Sequence, residues 1–198
     1  MKKRVAVFAR EPRPGHVKTR LASQIGVDRA LDCYIETLEI AIEAASNHRF
    51  ELWYEGHPCP SWIERCLSLK QQSDGDLGAR MFAAFSDGVD LVIGSDIPLI
   101  TSHYVDQAAD LLSTADVVLG PTEDGGYCLI GMRQPLPALF QGIPWSSSQV
   151  LTQTLAKAHR EHIRVELLPH LWDIDDETDY HRWNSIRASG ELQKSRTI

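Results

Sequence analysis

Val5-Ala6-Val7-Phe8-Ala9-Arg10-Glu11-Pro12-Arg13-Pro14-Gly15-His16-Val17-Lys18-Thr19-Arg20-Leu21 joins a short apolar run to a basic, turn-forming loop. Val5 to Ala9 has the composition of a buried first strand, and Pro12, Pro14 and Gly15 keep it from running on into a helix. In an open parallel sheet, the loop leaving a strand's carboxyl end opens into the crevice where ligands bind. Arg10, Arg13, Lys18 and Arg20 bring four cations to that loop, so an anionic ligand suits it. With Gly15 as its one glycine, the loop matches neither G-x-x-x-x-G-K-[ST] nor G-x-G-x-x-G. Phosphate would therefore be held by side-chain charge, arginine gripping two oxygens and lysine acting as a point charge. A solvated basic turn explains the same residues, and spacing alone leaves both readings open.

Beyond the loop, Leu31, Tyr34, Ile35, Leu38, Ala41, Ile42 and Ala45 recur at helical steps and predict an amphipathic helix over 28–46. Strands are expected at Phe50–Tyr54, Leu67–Leu69, Leu91–Gly94, Val117–Gly120 and Tyr127–Gly131, with helices over 78–85 and 102–112. Serines 146 to 148 are expected to cap a further helix, and another spans 180–186. Alternation of strands and helices implies an α/β fold: a three-layer α/β/α arrangement around a mainly parallel sheet. The two strands flanking Asp124-Gly125-Gly126 are expected to form an antiparallel insertion, making the sheet mixed.

The 198 residues carry no composition shift or long linker, so a single domain over 1–198 is expected. A net charge of -7 argues against nucleic-acid binding, which calls for a basic face. Cys33, Cys59, Cys66 and Cys128 form no C-x-x-C pair and read as free thiols of a reducing cytoplasm. The first apolar run ends at Arg10, too short for a signal segment or a membrane span, so a cytoplasmic location is expected.

Three further loops could contribute to a site. Asp96 directly follows the strand at Leu91–Gly94, where a carboxylate can hold Mg²⁺ or Mn²⁺ against a nucleotide's phosphates; a turn aspartate before Pro98 is the alternative. Glu123-Asp124-Gly125-Gly126-Tyr127 lets backbone approach a ligand while an acid binds a hydroxyl or acts as a base, and a plain hairpin turn explains it equally. Asp173 and Asp175 alternate along an extended segment and face one side, so they could supply a second metal ligand. Asp176, Glu177 and Asp179 read as first-turn acids favoured by the helix dipole. His159 and His162 lack metal-binding spacing. Trp145 and Trp172 each adjoin a candidate loop and could cover a base or sugar.

The chain resembles the DUF2064 family, whose members are assigned as glycosyltransferases of the rSAM/selenodomain-associated or arsenosugar-biosynthesis type. The resemblance rests on Ala9-Arg10-Glu11-Pro12 with Gly15, Lys18-Thr19-Arg20-Leu21, Gly75-Asp76-Leu77-Gly78-Ala79-Arg80-Met81, Gly94-Ser95-Asp96-Ile97-Pro98, Gly120-Pro121 with Asp124-Gly125-Gly126-Tyr127, Trp145-Ser146, and Asp173-Ile174-Asp175. It implies the nucleotide-diphospho-sugar transferase fold, shared by type A glycosyltransferases and nucleotidyltransferases. It also implies a site of Arg10, Gly15, Lys18, Arg20 and Ser95 on phosphates and Asp96 with Asp175 on Mg²⁺ or Mn²⁺. Asp124, Gly125, Gly126 and Trp145 would then lie on the acceptor side, with Lys18 and Asp124 taking part in the chemistry. Type A glycosyltransferases usually carry Asp-x-Asp where this chain has the lone acid of Ser95-Asp96-Ile97-Pro98, a pattern nearer the nucleotidyltransferases.

The leading expectation is metal-dependent glycosyl transfer from a nucleotide sugar to a small acceptor. Nucleotidyl transfer from an NTP to a phosphorylated acceptor, with pyrophosphate release, is the alternative. A non-catalytic nucleotide-binding protein is the third reading.

Overall fold

The computed structural model describes residues 2–58, 60–64 and 68–189. Strand β1 (Arg4–Arg10) leads through the basic loop into helix α1 (Thr19–Ile25) and the long helix α2 (Val27–Ala45), followed by β2 (Arg49–Glu55), a one-turn α3 (Pro60–Ile63) and β3 (Leu69–Gln71). Then come α4 (Leu77–Ser86), β4 (Leu91–Ile93), α5 (Ser102–Leu111), β5 (Val117–Pro121), β6 (Tyr127–Met132), a 3₁₀ turn at Pro137–Leu139, α6 (Val150–Arg160), β7 (Val165–Leu167) and α7 (Glu177–Ser189).

The strands form one seven-stranded sheet ordered β3-β2-β1-β4-β6-β5-β7. Every neighbouring pair is parallel except the two made by β6, which runs antiparallel between β4 and β5. Side chains alternate across a strand, and β1 uses both faces. Val5, Val7 and Ala9 pack with α2 and α5, whereas Ala6 and Phe8 pack with α4, the 3₁₀ turn and α6. Helices therefore cover both faces of a mixed, mainly parallel sheet, the three-layer α/β/α arrangement that the element order implied. A third apolar cluster, Leu21, Ala30, Cys33, Trp172, Ile174 and Trp183, fastens α1, α2 and α7 to the segment after β7.

Several boundaries differ from the sequence reading. Helix α1 was not expected, and its N-cap residue Lys18 offers no side-chain cap that would have announced it. The third strand begins at Leu69, with Leu67 of the expected span lying outside the described residues. Serines 146–148 do not cap α6: Gln149 is its N-cap, and Ser147 Oγ instead donates to the Pro144 carbonyl. Strand β7, three residues at the sheet's edge, was also missed.

Because β1, β4, β5 and β7 run the same way, the loops after all four emerge at one edge of the sheet. The chain leaving β7 then turns along that edge. Leu171 N–H donates to the Pro121 carbonyl at 3.0 Å, Glu123 N–H donates to the Leu171 carbonyl at 3.0 Å, and Ile174 N–H donates to the Asp96 carbonyl at 3.3 Å. Residues 171–175 thus cross from the end of β5 to the end of β4.

Candidate functional site

That crossing carries the main geometric result. Asp173 and Asp175, on one side of the extended segment, arrive at Asp96, and one carboxylate oxygen from each of the three lies within 4.8 Å of the others. Asp124, held by the loop between β5 and β6, adds its charge from the neighbouring strand end. Burial, reinforced by Asp96, Asp124 and Asp175, pushes the Asp173 carboxyl up to about 7. Asp175 is also raised, mainly by burial, with Lys18 opposing the shift. All the donors are carboxylate oxygens, the set that hard divalent cations such as Mg²⁺ and Mn²⁺ prefer. The residues present therefore fit such an ion.

Lys18 already brings one positive charge into the cluster. Its side chain is 7% exposed, and Nζ donates to the Ile174 carbonyl at 2.6 Å while lying 3.6 Å from Asp96 Oδ2 and 3.9 Å from Asp175 Oδ1. The residue sits in the left-handed region at φ 46° and ψ 44°, a conformation costing a side-chain-bearing residue about 1–3 kcal/mol. The other cations of the basic loop go elsewhere. Arg10 is exposed and pairs with Glu55 at 3.3 Å, and Arg20 pairs with Asp176 at 3.4 Å. Arg10, Glu11, Arg13, His16, Glu55 and Gly56 line a separate open cleft of about 170 Å³ at the ends of β1 and β2. Gly15 makes its turn there at φ 75°.

Neighbouring residues fix these loops. The Tyr34 hydroxyl accepts from Arg10 N–H at 2.7 Å and donates to the Arg10 carbonyl at 2.9 Å, with Ser95 beside it. Asp124 Oδ1 accepts from Thr122 Oγ1 at 2.5 Å and from Gly126 N–H at 2.9 Å, which shapes the turn. Gly125 has φ 89°, and a Cβ there would press into the Ser148 carbonyl. Glu123 pairs with both guanidinium nitrogens of Arg182, which stacks over Trp172 at 4.2 Å. Asp176 and Asp179 cap α7 reciprocally: Asp176 Oδ1 accepts from the N–H groups of Thr178 and Asp179, and Asp179 Oδ2 from those of Asp175 and Asp176. Trp145 packs against Gly78, Tyr127 and Phe140 in the apolar layer under the sheet.

Lys18, Asp96, Asp173 and Asp175 thus meet, with Asp124 near enough for its charge to act on Asp173 and Asp175; Arg10 and Arg20 are held by other acids. Sequence reasoning missed Tyr34, which sits on a helical stripe that reads as core, and Arg182, whose partner lies 59 residues away.

The DUF2064 family model, described as an uncharacterized protein conserved in bacteria, matches residues 27–147. Among solved structures, a Desulfovibrio desulfuricans G20 protein provisionally assigned as a nucleotide-diphospho-sugar transferase is 32% identical, with a TM-score of 0.78 over 89% of this chain and 84% of that one. Two more distant structures share the fold. 4-Diphosphocytidyl-2C-methyl-D-erythritol synthase from Anaerococcus prevotii DSM 20548 is 10% identical, with a TM-score of 0.59 over 94% of this chain and 96% of that one. A manganese complex of Rv0371c from Mycobacterium tuberculosis H37Rv is 15% identical, with a TM-score of 0.50 over 92% and 98%. No curated protein matches the chain.

Proposed function

We propose that this chain, which belongs to the DUF2064 family, is a divalent-metal-dependent transferase that moves a glycosyl group from a nucleotide diphosphate sugar to a small acceptor. The observation that carries this reading is the convergence of Asp96, Asp173 and Asp175 at the carboxyl ends of the parallel strands, in a fold whose 32%-identical relative is assigned to nucleotide-sugar transfer. These three acids would hold Mg²⁺ or Mn²⁺, and the bound ion would supply charge neutralisation to a departing diphosphate. The manganese complex of a protein with this fold is consistent with that choice of ion.

The chain's own groups divide the remaining work. Lys18, fixed by the Ile174 carbonyl, places a positive charge beside the acids where diphosphate charge would develop. Arg10 and Arg13 line the neighbouring cleft and would meet the donor's more distant phosphate or nucleoside, together with the Gly15 turn and Ser95. Asp124 is held by Thr122 and Gly126 and can accept a proton from an acceptor hydroxyl. Gly125 and Gly126, packed against Ser148 and Thr122, form the tight turn that would present Asp124 on the acceptor side, and Trp145 packs against Tyr127 at its end.

A second reading, nucleotidyl transfer with pyrophosphate release, is favoured by the single acid after β4 and by the arginines in the loop after β1. A protein that binds nucleotide without turnover is the third. Thermal melting with NTPs, nucleoside diphosphates and nucleotide sugars, with and without Mn²⁺, tests all three. A ligand at about 100 times its Kd adds about 2.7 kcal/mol, a shift of several degrees for a chain of this size. A Mn²⁺-dependent shift greatest for one nucleotide sugar, followed by product with an acceptor, is the expected result. A larger shift with the matching triphosphate and release of pyrophosphate would favour nucleotidyl transfer; binding without product would favour the third reading. No shift with any nucleotide would overturn the proposal.

A further inference from the structure

Resting on the metal-site reading above, we infer that Lys18 is the built-in second cation of the acidic site, so that Asp96, Asp173 and Asp175 take one divalent ion and not a pair. In two-metal sites a second cation shares the carboxylates of the first and neutralises a different part of the transferring group. Lys18 Nζ already occupies such a place, in ion-pair contact with Asp96 Oδ2 at 3.6 Å and Asp175 Oδ1 at 3.9 Å on the side where the chain enters α1. It is not a loose surface lysine that wanders in. The side chain is 93% buried, as its 7% exposure records, and the Ile174 carbonyl takes one of its protons at 2.6 Å.

The backbone is built to deliver it. Lys18 takes the left-handed conformation at the start of α1, where glycine or asparagine is the easier choice, and Leu21 one turn later is fully buried against Trp172, Ile174 and Trp183. Strain of this kind persists where the surrounding packing over-determines it. The ammonium is thus locked to the segment carrying Asp173 and Asp175. Among the described residues, the other charged groups near the cluster have partners elsewhere: Asp124 is tied to Thr122 and Gly126, Arg20 to Asp176, and Arg182 to Glu123.

A compact point charge at this place does part of what a second ion does, without having to be recruited from solution. It would also repel a second ion and weaken the first. Titration of the full chain with Mn²⁺, following free ion by electron paramagnetic resonance, tests this directly. The wild type is expected to bind one Mn²⁺ per chain. Lys18→Met, with folding checked by circular dichroism, is expected to bind the first ion at least about tenfold tighter or to take up a second, because loss of 1.4 kcal/mol of repulsion is tenfold in Kd. Lys18→Arg should retain the wild-type stoichiometry. Two ions in the wild type would overturn the inference whatever the variants do, as would a Lys18→Met protein that binds Mn²⁺ no better than wild type. Absence of Mn²⁺ binding by the wild type would instead overturn the metal-site reading beneath it.

Discussion

At the scale of single residues, the acidic cluster sets opposite demands on its members. Asp96 lies three residues past the end of β4 and is held in place by backbone, its carbonyl accepting from Ile174 N–H at 3.3 Å. Asp96→Asn removes one charged oxygen donor while keeping nearly the same shape. It should weaken Mn²⁺ binding at least about tenfold, as loss of 1.4 kcal/mol implies, with little change in the metal-free melting temperature. Titration of free Mn²⁺ against variant and wild type measures this, and equal affinities would remove Asp96 from the site. The buried thiols have no such role: burial raises Cys33 to about 11 and Cys128 to about 12, so both stay protonated and unreactive near neutral pH. Cys59 and Cys66 lie outside the described residues.

At the scale of elements, helix α4 begins with Asp76, whose side chain accepts from Ala79 N–H at 2.8 Å. Asp76→Ala should cost about 1 kcal/mol, lowering the melting temperature by roughly 2–4 °C without touching Mn²⁺ affinity. The turn between β5 and β6 is less forgiving. Gly125 lies at φ 89° with the Ser148 carbonyl in the way of any Cβ, so Gly125→Ala must move the loop or α6 behind it. A loss of about 1–3 kcal/mol is expected, read from the urea midpoint. That shift would also disturb Asp124, so the variant should lose turnover beyond what its stability loss explains. The helix-to-strand pattern was legible because its causes are local. Val5 to Ala9 is a short unbroken apolar run ended by Pro12, Pro14 and Gly15, and the α2 stripe recurs at helical steps. Helix α1 and strand β7 were not legible, since one starts on a lysine without a cap and the other has only three residues.

At the scale of the whole molecule, Asp173 links stability to pH. Its folded-state value of about 7 lies above the ordinary carboxylate value of 3.8, so the folded chain holds this proton more tightly than the unfolded chain. Its contribution is fully present below about pH 4 and is lost as pH rises through about 7. Glu55 and Asp87 are shifted downward by Arg80 and Lys70 and titrate below this window, so they do not cancel the trend. Metal-free protein should therefore melt at a lower temperature at pH 8 than at pH 5.5. Asp173→Asn should flatten the dependence, and Mn²⁺ should stabilise most above pH 7, where Asp173 is ionised. Parallel curves for wild type and variant would show that Asp173 carries no such linkage. Periodicity, the proline-interrupted basic loop and the lone acids at strand ends were enough to reach the fold class and most of the cluster, because those signals are local and read within a few residues. The tertiary structure alone decided where Lys18 goes and which acids meet. Asp96 and Asp173 are far apart in the chain and come together only because residues 171–175 cross the sheet edge under the packing of Trp172, Ile174 and Trp183. The same packing buries Lys18 among carboxylates, whereas the loop's arginines stay outside it.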